Sequence, residues 1–198
     1  MKNKVAIITG ASTGIGKHIS IELSKNDYTV ILISRNINKL NNVKDIIDNL
    51  GKKCIIIESD ISKESSIECV FKELSSFNNI DILINNAGLG IFNKIDNTSY
   101  QDWDIQMNTN LKASFMMTKN IVPLMKKKNS GKIVFINSVA GLKGYPYSSA
   151  YVASKYGLRG FASSIREELR EYNIKVISIH PGAIDTPFWN EIKGDFPR

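Results

Sequence analysis

The sequence predicts a doubly wound α/β fold, a parallel sheet with helices on both faces. Short apolar runs alternate with segments of helical period from one end of the chain to the other. The apolar runs are rich in Ile and Val and nearly uninterrupted, as strands covered on both faces must be. Strand, helix, strand repeated in this way implies right-handed crossovers within one sheet.

The first strand is Lys4–Thr9, whose apolar stretch runs only from Val5 to Ile8 before Thr9 and Gly10. That stretch is too short for a signal-peptide core or a membrane span. Helical period follows over Ile15–Lys25, then a second strand over Tyr28–Ser34 and a helix over Ile37–Leu50. The third strand, Lys53–Glu58, leads to a helix over Lys63–Phe77, and the fourth, Asp81–Asn85, to a long helix over Ser99–Lys127. Lys132–Asn137, a helix over Ser149–Tyr172 and Lys175–His180 complete a set of six predicted strands. Turn residues bound each strand, and no repeat, low-complexity tract or linker divides the chain, so 1–198 reads as a single domain.

Composition narrows the class. With 198 residues, 42% hydrophobic and 23% charged, the chain can bury a substantial core and looks like an ordinary globular protein. A net charge of +7 could serve nucleic acid, but the lysines are scattered. Their one run, Lys126-Lys127-Lys128, falls where a helix should end and the helix dipole favours cations. Cys54 and Cys69 lack metal-ligand and C-x-x-C spacing, and read as reduced, mostly buried thiols of a cytoplasmic protein. His18 and His180 have no acidic companion at ligand spacing, so no metal site is expected. Neither a nucleic-acid nor a membrane partner is expected.

The turn after the first strand, Thr9-Gly10-Ala11-Ser12-Thr13-Gly14-Ile15-Gly16, carries chemistry. Its glycines let the backbone turn tightly and approach a pyrophosphate seated on the amides of a helix N-terminus. It lacks the lysine of a P-loop, which excludes a triphosphatase signature. A dinucleotide fold that selects NAD places an acid at the end of the second strand, about twenty residues past the glycines, to bond the ribose hydroxyls. Ser34 stands there instead, and Arg35 beside it can fork onto a phosphate. NADP(H) is the expected preference, with NAD(H) possible.

A second constellation lies downstream. Tyr151 and Lys155, four residues apart on a helix, lie one above the other on one face, after a lone Ser138. A phenol with a pKa of about 10 is a sluggish acid-base group, and a nearby lysine charge is expected to bring it closer to a useful value.

In these residues the chain resembles the short-chain dehydrogenase/reductases over nearly its whole length. Thr9-Gly10-x-x-x-Gly14-x-Gly16 resembles that family's cofactor turn, and Asn85-Asn86-Ala87-Gly88 its marker after the fourth strand. Ser138, Tyr151 and Lys155 stand in its catalytic order, Asn110 is similar in placement to its catalytic asparagine, and Asp60 to its adenine contact. Pro181-Gly182 and Thr186 resemble its nicotinamide-side loop. The resemblance implies a Rossmann-type dinucleotide fold and hydride transfer between nicotinamide and a carbonyl or alcohol. Tyr151 would move the proton, Ser138 would bond the substrate oxygen, Lys155 would tune Tyr151 and hold the ribose, and Asn110 would hold a water. Cofactor contacts are implied for Gly10, Ser12, Thr13, Gly14, Ile15 and Gly16, then Ser34, Arg35, Asn36, Asp60 and Ile61. They continue through Asn86, Ala87, Gly88, Tyr151, Lys155, Pro181, Gly182, Ile184 and Thr186.

Family members usually continue past the point where this chain stops at Arg198, so the substrate lid and last strand are expected to be absent. The two long helices that pair between subunits in the family are present, implying a homodimer or homotetramer. Leu89, Gly90, Leu142, Tyr145, Tyr147, Phe188 and Trp189 are expected to line the substrate pocket, for a carbonyl with an apolar or aromatic part. A 3-oxoacyl-carrier-protein reductase-like or general carbonyl reductase fits. The alternatives are a non-catalytic dinucleotide sensor and an inactive fragment.

Overall fold

A computed structural model describes residues 4–190 and 193–194. Its strands are β1 (Lys4–Thr9), β2 (Tyr28–Ser34), β3 (Cys54–Glu58), β4 (Ile82–Asn85), β5 (Ile91–Phe92), β6 (Gly131–Ile136), β7 (Ile174–Ile179) and β8 (Lys193–Gly194). Its helices are α1 (Gly14–Lys25), α2 (Ile37–Asn49), α3 (Glu64–Glu73), α4 (Tyr100–Met107), α5 (Ala113–Lys128) and α6 (Ser149–Glu168). Six strands form one sheet in the order β3-β2-β1-β4-β6-β7, and every adjacent pair is parallel. The chain runs outward from β1 to β3, then crosses to β4 and runs the other way. The switch point therefore lies between β1 and β4, where open α/β sheets bind ligands.

Alternate residues of each strand feed two cores. On one face Ile7, Ile31, Leu83, Ile133 and Val176 pack with Val70 of α3, Ile121 of α5 and Leu158 of α6. On the other, Ala6, Ile8, Val30 and Leu32 pack against Leu40, Val43 and Ile47 of α2 and Ile15 and Ile19 of α1. This two-sided burial is why the strands read as unbroken apolar runs.

The six strands stand where the sequence places them, within a residue at either end. Three helices differ. The helix expected over Lys63–Phe77 is α3 followed by a 3₁₀ turn over Leu74–Ser76, and α6 likewise passes into a 3₁₀ turn over Arg170–Tyr172. The long helix expected over Ser99–Lys127 is α4 and α5 joined by a π-helical turn, Asn108–Lys112. Two residues each of β5 and β8 form a separate parallel pair that no pattern in the sequence marks.

The Lys126-Lys127-Lys128 run closes α5 as anticipated. Lys126 sits 4.3 Å over the Tyr172 ring and 3.8 Å from Glu168, and Lys128 pairs with Asp81, so the run is a solvated helix end. The cysteine expectation holds for one residue only. Cys54 is half-buried, with burial pushing its thiol up to about 12, but Cys69 is exposed.

Candidate active site

A cleft of about 680 Å³ opens at the carboxyl ends of the strands, over the switch point. Its floor is the turn from β1 to α1. Gly10 takes a left-handed φ of +63°, and a Cβ there would lie 2.8 Å from the Ala87 Cα. A Cβ on Gly16 would meet the Gly10 carbonyl oxygen at 2.3 Å. Only glycines let this turn pack under the β4 loop. Thr13 takes the N-cap position of α1 without a side-chain bond to the first turn, so an anionic ligand is free to serve as the cap.

Thr9 fixes the floor to the opposite wall. Its hydroxyl donates to the Ile84 carbonyl (3.3 Å) and accepts from the Asn86 and Ala87 amides (3.0 and 3.1 Å). The Asn86 side chain donates to the Thr9 and Gly10 carbonyls at 2.9 and 3.0 Å. This explains the Asn85-Asn86-Ala87-Gly88 pattern: one side chain locks two loops together across the switch point.

At the outer end, the Ser12 and Ser34 hydroxyls are 2.8 Å apart, and Arg35, Asn36 and Lys39 share the wall. The Asn36 side chain is already used, accepting from the Lys39 amide to cap α2 (2.9 Å). Asp60 is held by the Ser62 amide and hydroxyl at 3.3 and 2.7 Å. Lys39, Ser59 and Ser62 belong to this end although the sequence did not single them out.

At the inner end, Ser138, Tyr151 and Lys155 converge on the cleft wall. The Ser138 hydroxyl faces the same cleft wall as the Tyr151 phenol. Burial pushes the Tyr151 phenol up, and the nearby Ser138 hydroxyl opposes that only in part. This corrects the expectation that Lys155 tunes Tyr151 downward: desolvation dominates. The phenol therefore keeps its proton at neutral pH and is ready to give it away. Lys155 is itself buried, which lowers it to about 8, and it donates to the Ile136 carbonyl at 3.1 Å. At neutral pH it is still mostly an ammonium, 5.7 Å from the Tyr151 ring centre.

Asn110 stands behind these groups rather than in the cleft. The π-helical turn brings its amide to the Leu89 backbone, accepting from the amide (2.8 Å) and donating to the carbonyl (3.0 Å). It also donates to the Ser154 hydroxyl at 3.0 Å, and Ser154 donates to the Tyr151 carbonyl at 2.7 Å. Both amide hydrogens and one lone pair of the oxygen are used in these bonds, so the side chain braces the Leu89 loop against α6.

The end of β7 supplies a further brace. His180 Nδ1 lies 2.9 Å from the Ser138 carbonyl, and its Nε2 lies 3.0 Å from the Ser178 hydroxyl. A carbonyl can only accept, so Nδ1 carries the proton. The Asn137 amide to the Ile179 carbonyl (2.8 Å) and the Val139 amide to the Pro181 carbonyl (3.0 Å) extend the pairing past the strand ends.

Of the cofactor residues expected from sequence, all but Gly16 line the cleft, and Gly16 packs beneath it. The expected substrate wall is half right. Leu89, Tyr145, Phe188 and Trp189 line the cleft, joined by Phe92. Leu142 is 47% exposed and away from it. Tyr147 adopts a left-handed φ of 60° at the turn into α6, which takes it off the wall. Gly90 lies behind the wall, because the rings of Phe92 and Phe188 fill the place of its side chain.

The family model for short chain dehydrogenase matches residues 4–195. The chain belongs to this family. An uncharacterized oxidoreductase of Staphylococcus epidermidis is 32% identical over 188 residues, covering 94% of this chain and 80% of the relative. The sepiapterin reductase of Chlorobaculum tepidum is 34% identical, covering 95% of this chain and 80% of its own. Among solved structures, a metagenomic short-chain oxidoreductase in complex with NADP is 33% identical with a TM-score of 0.87, covering 91% of this chain and 83% of that one. Membership makes the chain an oxidoreductase acting on CH–OH groups.

Proposed function

We propose that this chain is an NADP(H)-dependent oxidoreductase that interconverts a carbonyl compound and its alcohol, with Tyr151 as the proton donor in reduction. The observation that carries this reading is the convergence of Ser138, Tyr151 and Lys155 on one wall of a cleft floored by a phosphate-type turn. The cofactor end fits a dinucleotide on its own geometry. Gly10 and Gly16 let the turn pack closely beneath the cleft, and the N-cap of α1 has no side-chain partner. Ser34 in place of an acid, with Arg35 and Lys39 beside it, favours an additional phosphate over a bare ribose. When bound, the nicotinamide supplies the hydride.

The residues of this chain do the rest. Tyr151, kept protonated by burial, gives its proton to the carbonyl oxygen as charge builds there. The Ser138 hydroxyl, oriented by accepting from the Ala140 amide at 3.1 Å, bonds the same oxygen. The Lys155 ammonium stabilises the phenolate left behind and keeps N–H groups for the cofactor ribose beyond the one given to Ile136. Asn110, Ser154 and His180 hold the three loops in place.

Titration of the protein with NADPH and NADH tests the cofactor half. NADPH should bind roughly ten- to a hundredfold tighter, and Arg35→Ala should erase most of that margin. Equal affinities would contradict it. Exposed Trp103, Phe115 and Tyr156 on α4, α5 and α6 support a homodimer through these helices. Light scattering that gives a monomer mass across a dilution series would remove that assignment. No described helix is long and apolar enough to cross a membrane.

A further inference from the structure

The two ends of the cleft differ in charge. Arg35 and Lys39 are at the outer end, and among the described residues the wall around Tyr151 carries no cation except Lys155, which is buried. Lys143 sits 5.1 Å over the Tyr145 ring but is not on the wall. Two polar side chains at this end are engaged with the protein. Ser148 donates to the Pro146 carbonyl at 2.9 Å, and Asn137 donates to the Lys155 carbonyl at 3.2 Å. The Asn137 oxygen is buried without a hydrogen-bond partner, facing Gly141, where a Cβ would stand 2.8 Å from it. An anionic substrate would find no exposed cation on this wall among the described residues, and a polyhydroxylated one would have to give up water against a largely aromatic surface.

The inner wall is aromatic. The Tyr151 ring lies between Phe92, at a centroid distance of 5.4 Å and 58°, and Phe188, at 6.2 Å and 47°. Trp189 meets Phe188 edge-on at 5.6 Å, and its indole N–H donates to the Ile184 carbonyl at 2.8 Å, so it presents only its apolar surface. Phe188 reaches the site because its segment crosses the cleft: Thr186 lies 3.4 Å from where a Gly14 Cβ would be. Aromatic neighbours at these spacings favour another flat ring offset against them.

We infer that the substrate is an uncharged carbonyl compound bearing a flat apolar ring, with Phe188 selecting that ring. This rests on the hydride-transfer reading above. The carbonyl oxygen meets Ser138 and Tyr151, and the ring lies along Phe188 and Leu89. A planar substituent next to the carbonyl is thereby preferred over a charged or hydroxylated one.

The test measures NADPH consumption with four carbonyl compounds: an aryl methyl ketone, butan-2-one, a 2-oxo acid and a ketose. The aryl ketone should show the highest kcat/KM, at least roughly tenfold above the 2-oxo acid and the ketose. In Phe188→Ala the preference for the aryl ketone over butan-2-one should fall about tenfold, with the NADPH Kd as a check that the protein is folded. An equal loss on both ketones would make Phe188 structural and overturn its selecting role. Reduction of the 2-oxo acid or ketose as well as the aryl ketone would overturn the substrate class and leave hydride transfer standing. Tight NADPH binding with no turnover of any carbonyl compound would overturn both.

Discussion

One register row crosses the sheet through Leu32, Ile8, Ile84, Val134 and Ile177. Leu32 and Ile8, beneath α1 and α2, are fully buried, while Ile177 at the β7 edge is 40% exposed. The next outward position on β7, Ile179, is 44% exposed. The opposite face shows no such gradient: Ile31, Ile7, Leu83, Ile133 and Val176 are all buried. The halves of the cleft are therefore held differently. The phosphate turn rests on strands packed on both sides, whereas the Ser138 and Pro181 loops are held by backbone pairing, by His180 and by one packed face. A cofactor site common to many substrates can be built into a core, while the end that recognises the substrate sits on the more lightly covered strands.

The largest effect that tests this contrast is on stability. Leu32→Ala should cost about 2–5 kcal/mol, as large-to-small changes in a closed core do, whereas Ile179→Ala should cost under about 1 kcal/mol. Urea unfolding of both variants measures the difference, and equal costs would show that the β7 face is covered in solution.

Lys155 offers a smaller effect with a distinct pH signature. Its pKa is about 8 in the folded chain, against 10.5 when unperturbed. Below about pH 8 both states are protonated and the full cost of burying the ammonium is present. Between there and about pH 10.5 the unfolded chain binds more protons, so stability rises with pH. Lys155→Met should stabilise the protein by about 1–3 kcal/mol at pH 7, after the loss of the Ile136 bond, and less as the pH approaches 10. A gain that does not shrink with pH would remove desolvation as its cause.

Much of this was legible in the sequence because it depends on local pattern. Ile and Val runs marked all six strands, and the glycine spacing and the Tyr151/Lys155 pair marked both ends of the cleft. What escaped depends on contacts between distant residues. Nothing in the periodicity of Ser99–Lys127 signals the π-helical turn that aims Asn110 at Leu89. Nor does the sequence show that Thr9 hydroxyl bonds reach Asn86 and Ala87, or that His180 returns to Ser138 forty-two positions earlier. Leu142 and Tyr147 were misplaced because proximity in sequence to Ser138 does not set side-chain direction in a loop. The direction of the Tyr151 shift depends on burial, which i, i+4 spacing does not reveal.

The central claim is that Tyr151 transfers the proton in a reaction whose cofactor is held by the other half of the sheet. Its most direct test is Tyr151→Phe, with NADPH affinity and carbonyl reduction measured on the same preparation. The arrangement predicts an NADPH Kd within about threefold of the parent and a kcat lower by about 10²–10⁴-fold. Reduction at the parental rate by that variant would contradict it.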